Sequence, residues 1–152
     1  MPGTLLLFED SPTQAAQFKV HFENLGYTVL SALDGVEGGK LLQKSMADGK
    51  TPNLIILDFL LPQEDGASIC RRLKANPETK SIPVLIFSGE NKLRFMNEAY
   101  DAGADYYVVK GREGLRTLEL LIDSILVRQL RQVRRGKPGT TNLNTPTTSL
   151  AS

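Results

Sequence analysis

The chain has 152 residues, 41% of them hydrophobic and 23% charged, with a formal net charge of +1. That is the length and composition of one ordinary globular domain, and the bulk charge gives no reason to expect nucleic acid or an acidic surface as a partner. A single cysteine, Cys70, excludes an internal disulfide framework, and no stretch has the length of a membrane span or the layout of a signal peptide, so a cytoplasmic protein without membrane insertion is expected. Five of the 18 basic residues, Arg128, Arg131, Arg134, Arg135 and Lys137, follow the last acid, Asp123, so a mildly acidic body ends in a basic run. Such a run is more often a solvated helix end than a nucleic-acid contact, and no aromatic or motif accompanies this one.

Gly3 to Phe8 is a first apolar run, closed by Glu9-Asp10. Ser11 as N-cap and Pro12 at the first helical position open a helix whose apolar residues are Ala15, Phe18, Phe22 and Leu25, stopped by Gly26. His21, the only histidine, reads as an exposed residue of that helix. Tyr27 to Ala32 is a strand polar enough for a sheet edge, and Val36 to Met46 is a helix with Leu41 and Leu42 inward. Leu54 to Leu57 is too short for a free helix and has no polar alternation. It reads as a strand covered on both faces, ending at Asp58 before Pro62 and the Asp65-Gly66 turn. Ala67 to Ala75 is a helix in which Cys70 serves as a small buried hydrophobe. Ile82 to Phe87 is a strand ending at Ser88-Gly89, and Asn91 to Ala102 is a helix. Phe95, Met96 and Tyr100 on it, with Tyr107, are available for core packing or for docking. Asp105 to Val109 is a strand ending at Lys110-Gly111. The last helix runs from Leu115 to about Arg134 on a stripe of Leu118, Leu121, Ile122, Ile125, Leu126 and Val127. A domain over 1–135 and a disordered tail or linker over 136–152 follow.

Strict alternation of strand and short-looped helix predicts an α/β fold: a doubly wound, five-stranded parallel sheet with helices on both faces. With the polar second strand outermost, the order is 2-1-3-4-5, flavodoxin-like, with its switch point between the first and third strands. Glu9, Asp10, Asp58, Ser88 and Lys110 then share one rim. Asp58 alone could simply cap its loop. Three clustered carboxylates, however, need a proton or a cation among them, and oxygen donors without His or Cys suit Mg2+. An ammonium and a hydroxyl opposite a metal form a receptor for a phosphoryl group, and a carboxylate at its centre can be the nucleophile.

Glu9-Asp10-Ser11, Asp58 with Pro62 and Asp65-Gly66, Ser88-Gly89, and Asp105 through Lys110 resemble the receiver domain of bacterial two-component response regulators over roughly residues 3 to 130. The resemblance implies a stand-alone, chemotaxis-regulator-like signalling switch that is not an enzyme beyond its own phosphorylation and dephosphorylation. Asp58 would be the phosphoacceptor. Mg2+ or Mn2+ would be held by Asp10, Asp58 and the backbone carbonyl of Leu60, with Glu9 acting through water. Ser88 and Lys110 would bind the phosphoryl oxygens, and Tyr107 would be the switch aromatic, turning inward as the hydroxyl is drawn to phosphate. Leu60 and Glu90 would flank the hydrolytic water, and Leu60 offers that water no hydrogen bond, which implies slow self-dephosphorylation. The implied partners are a sensor histidine kinase or histidine phosphotransfer protein, a downstream protein target, and a second copy through the fourth helix, fifth strand and fifth helix. Two alternatives stay open: a phosphate-independent pseudo-receiver that acts as an interaction module, and a phosphohydrolase. The latter commonly needs a second acid two residues after its nucleophile, where this chain has Leu60. Receivers usually carry Pro after the lysine; Gly111 stands here, so a trans Lys110–Gly111 peptide or a rearranged loop after Lys110 is expected, because a non-proline cis bond costs roughly 2.5–4 kcal/mol.

Overall fold

The computed structural model describes residues 2–136. Five strands, β1 (Thr4–Phe8), β2 (Thr28–Ala32), β3 (Leu54–Leu57), β4 (Val84–Ser88) and β5 (Tyr106–Val109), alternate with five helices. The helices are α1 (Pro12–Asn24), α2 (Gly35–Ala47), α3 (Gly66–Ala75), α4 (Leu93–Asp101) and α5 (Gly114–Gly136). The strands form one parallel sheet in the order β2-β1-β3-β4-β5. The chain divides into two compact units at Thr117/Leu118; the sheet, α1–α4 and the first turn of α5 lie in the first.

The sheet forms because its central strands have nothing polar to show. Every residue of β3 and β4 is buried. Side chains alternate across the sheet. Leu6, Phe8, Ile55, Leu57, Val84 and Ile86 share a core with Leu42 of α2, Ala67, Ile69 and Cys70 of α3 and Ala99 of α4. The first three helices start at polar caps. Ser11 Oγ accepts from Gln14 N (3.2 Å), Asp34 Oδ1 from Glu37 N (2.8 Å) and Asp65 Oδ1 from Ser68 N (2.8 Å). Glu37 Oε1 in turn accepts from Leu33 N (2.8 Å), tying the start of α2 to the chain that enters it. Two glycines permit the close approaches that seat the rim. A Cβ on Gly38 of α2 would lie 2.0 Å from the Phe8 ring, and one on Gly66 would lie 2.3 Å from the carbonyl oxygen of Asp58.

Several expectations shift. Leu25 is not in the inward stripe of α1; it is the C-cap residue, 42% exposed, because Gly26 at φ +96 turns the chain away. His21 is half-buried rather than exposed, with its ring edge-on to Phe22 at 5.0 Å. Ile82 is buried but precedes β4, which starts after Pro83 and takes in Ser88. α4 is shorter than its pattern suggests, starting at Leu93 and not Asn91. Leu93 and Tyr100 face solvent, while Phe95 packs edge-to-face on Phe59 at 5.1 Å. On α5, Leu118, Ile122 and Ile125 are buried, whereas Val127 falls off that stripe and is exposed. The helix continues through Gly136, so the boundary placed at 135 falls inside it; residues 137–152 lie outside the described residues. Among the described residues no helix is long and apolar enough to cross a membrane.

Gly38→Ala is expected to cost about 1–3 kcal/mol, since Phe8 cannot yield without disturbing β1; an unchanged urea midpoint would count against this packing. Burial pushes the Cys70 thiol up from 9.0 to about 11. Its neutral form therefore stabilises the fold fully below pH 9, and that contribution is lost as pH rises towards 11. Wild-type stability should fall more steeply across that window than that of Cys70→Ala. At pH 8 a thiol reagent should label Cys70 only after unfolding, and fast native labelling would refute the assignment.

Candidate functional site

The rim residues are set by ladder hydrogen bonds that run one residue past the strands. Glu9 N donates to Ala32 O (2.9 Å), Asp58 N to Phe8 O (3.0 Å) and Lys110 N to Ser88 O (2.8 Å). Each polar side chain thus starts from a backbone position fixed by its neighbour strand. Gly66 N donates to Phe59 O (2.7 Å), pinning α3 under the loop that leaves Asp58. Within that loop Gln63 is held at φ +71, a left-handed conformation costly for a residue with a Cβ.

The side chains converge on one ammonium. Lys110 Nζ donates to Glu9 Oε1 (2.6 Å), to Asp58 Oδ2 (3.0 Å) and to Gln14 Oε1 (2.6 Å). Its three protons are all committed. The same nitrogen stands 5.7 Å from the centre of the Phe87 ring, within cation–π range. Burial pulls the Lys110 ammonium down, but its bonds to Glu9 and Asp58 outweigh this and hold it above the ordinary lysine value. Glu9 is almost fully buried and its remaining oxygen, Oε2, accepts from Ser11 N (3.1 Å). Burial raises its carboxyl above the usual range in spite of Lys110 and that amide. Asp58 is 12% exposed, and Asp10 is open to solvent.

One carboxylate oxygen from each of Glu9, Asp10 and Asp58 lies within 4.8 Å of the others. Three carboxylates against one ammonium leave two negative charges uncompensated, which a divalent cation matches. An all-oxygen donor set with one member facing water suits Mg2+ or Mn2+, ions that keep several waters.

The far wall differs. Ser88 is buried, and its Oγ accepts from Glu90 N (3.3 Å). The Tyr107 hydroxyl donates to the Glu90 carbonyl (2.7 Å) and also pairs with Ser88. Burial raises the Tyr107 phenol, Glu90 and Asp58 add to this, and the Ser88 hydroxyl opposes it. The Tyr107 ring is thus half-buried, with its hydroxyl tied to the loop that follows Ser88. The Leu60 side chain is 55% exposed and Glu90 is half-buried. The Lys110–Gly111 peptide is trans, as expected.

Two contributors carry no motif. Gln14 sits one turn into α1, four residues after Asp10, and Phe87 is an inward strand residue; only their positions next to strand ends hint at the rim. Beside them is a cavity of about 320 Å³ lined by Gln14, Gln17, Phe18, Phe87, Gly111 and Leu115, among others.

The response regulator receiver domain matches residues 5–121. The chain is 33% identical over 106 residues to the DNA-binding dual master transcriptional regulator RpaA of Synechocystis, a match covering 70% of this chain and 42% of that protein. It is 37% identical over 121 residues to the gliding motility regulatory protein of Myxococcus xanthus, covering 80% of this chain and 15% of that one. This chain thus spans less than half the length of these two relatives. The receiver domain of a signal transduction histidine kinase from Syntrophus aciditrophicus superposes with a TM-score of 0.73 at 30% identity, covering 93% of this chain and 99% of that one.

Proposed function

The chain belongs to the response regulator receiver family, and on that premise we propose that it is a phosphorylation-dependent switch in which Asp58 accepts the phosphoryl group. Receiver domains interact with histidine kinases and downstream effectors, and bind Mg2+ or Mn2+ at an acidic pocket. The observation that carries the proposal is the Lys110–Asp58 ion pair set within the Glu9–Asp10–Asp58 cluster. A lone structural ion pair would not need two further acids beside it.

A carboxylate oxygen of Asp58 attacks the phosphorus of a phosphohistidine on a sensor kinase or phosphotransfer protein. The P–N bond breaks and the imidazole nitrogen leaves with its electron pair, taking up a proton. Asp10 and Asp58 would hold the divalent cation directly, with the Leu60 carbonyl as a backbone ligand and Glu9 through water. The cation supplies positive charge opposite the equatorial phosphoryl oxygens. Lys110 gives up its bond to the Asp58 oxygen and takes one to the phosphoryl group, while Glu9 and Gln14 keep its other two protons. Ser88 turns its hydroxyl from Glu90 N to a phosphoryl oxygen. Tyr107 and the Glu90 carbonyl pass the change to α4, whose exposed Leu93 and Tyr100 offer an apolar surface for a protein target or a second copy.

A second reading is a phosphate-independent interaction module, in which the bond from the Tyr107 hydroxyl to the Glu90 carbonyl is a fixed part of the fold. The full chain incubated with Mg2+ and acetyl phosphate separates the two by intact mass. Wild type should gain one phosphoryl group, and Asp58→Asn, or wild type in excess chelator, should gain none. An unmodified wild type decides for the second reading. Leu60→Asn should speed loss of the group roughly fivefold, the worth of about one added hydrogen bond to the attacking water; an unchanged decay rate would remove Leu60 from control of hydrolysis.

A further inference from the structure

Lys110 starts from a backbone pinned at Ser88 O, but its ammonium lies at the end of a long stem with several rotamers. The residue that follows it is glycine, and a Cβ built on Gly111 would meet nothing within 4 Å. On its α1 side the ammonium borders the 320 Å³ cavity, walled by Phe18, Phe87 and Leu115. The Phe87 ring stands 5.7 Å from Lys110 Nζ, so the ammonium already lies at the edge of that space. Three hydrogen bonds hold the lysine tip, and two of them go to Glu9 and Asp58, the very groups whose surroundings change when a cation binds or a phosphoryl group arrives. The third goes to Gln14 Oε1, at 2.6 Å.

Gln14 is uncharged, so its grip on Lys110 does not depend on the state of the acids. It is fixed from its own side, because its backbone N–H donates to the N-cap Ser11 at the start of α1. It also lines the cavity that would otherwise receive the ammonium. The amide must present its oxygen to Lys110, since an ammonium has protons to give and no lone pair to offer.

Resting on the acceptor role of Asp58, we propose that Gln14 is a positioning residue for Lys110, holding the ammonium on the acceptor and out of the cavity beside Phe87.

Gln14→Met keeps length and helix propensity and removes the acceptor. Acetyl phosphate labelling of the full chain should slow about tenfold, the scale expected for losing one charge-assisted hydrogen bond that orients a reacting group. In a Lys110→Met background the same substitution should change the rate by less than about twofold, because there is no ammonium left to place. A wild-type rate for Gln14→Met overturns the proposal, and so does an equal fractional loss in both backgrounds, which would mark Gln14 as merely structural. Failure of the acceptor reading is seen separately, as wild type that takes up no phosphoryl group. The tether is then read without phosphate, from the nitrogen-15 resonance of the Lys110 ammonium. A slowly exchanging signal in wild type that is lost in Gln14→Met supports it, and an identical signal in both overturns it.

Discussion

Three carboxylates gathered at the ends of β1 and β3 repel one another, and burial makes the repulsion worse. Glu9 alone is almost completely removed from water and its carboxyl is pushed up for that reason. What allows the cluster to exist is a single ammonium from β5, bonded to Glu9 and Asp58 at once. Breaking one partner of such a group would leave a buried charge uncompensated, a cost on the order of 3–5 kcal/mol for a fully buried pair and less at a rim partly open to water. The arrangement is therefore not a stability device that tolerates loss of a member. It is a charge-poised site, short of two positive charges, a deficit that a divalent cation would match.

Sheet topology makes that convergence possible. Strand order 2-1-3-4-5 puts β1, β3 and β4 side by side, so the chain ends of all three open into one crevice. Lys110 must cross from β5 over the end of β4 to reach the acids. Its long stem spans that gap above the Phe87 ring, as an apolar chain with a charged head can. Ser88 stays below it, buried as the last residue of β4. A shift of one residue in the β4–β5 register would turn Lys110 to the other face, and Tyr107 with it. Function here is a consequence of register as much as of residue identity.

How much of this was legible follows from what each signal depends on. Strands whose every residue is buried, such as LIIL and VLIFS, announce themselves by hydrophobicity alone. The cap at Ser11 is local chemistry and read correctly, whereas Asp65, read as part of a turn, proves to cap α3. The rim acids, Ser88 and Lys110 were legible because they interrupt apolar runs at strand ends, where a side chain with no core role stands out. Gln14 was not, because nothing distinguishes a glutamine on an exposed helix turn from a solvated one until the opposite strand is in place. Leu25 and Val127 misled because helical periodicity counts apolar residues without knowing where the helix turns away or drifts off its stripe. The tight seat of Gly66 on the Asp58 carbonyl was likewise invisible, since a turn glycine and a close-approach glycine look alike in a sequence.

The far wall bears on how large a signal the site can send. A ligand shifts a two-state equilibrium only by its differential affinity for the two states. The Tyr107 hydroxyl donates to the Glu90 carbonyl and Ser88 Oγ accepts from Glu90 N, so the Glu90 backbone joins the two side chains. On the proposed function, phosphate arriving at Asp58 would draw on the Ser88 hydroxyl, and through it on the hold on Glu90 N. Signal size depends on how often Tyr107 leaves the Glu90 carbonyl at rest: the more often it does, the more room phosphorylation has to act.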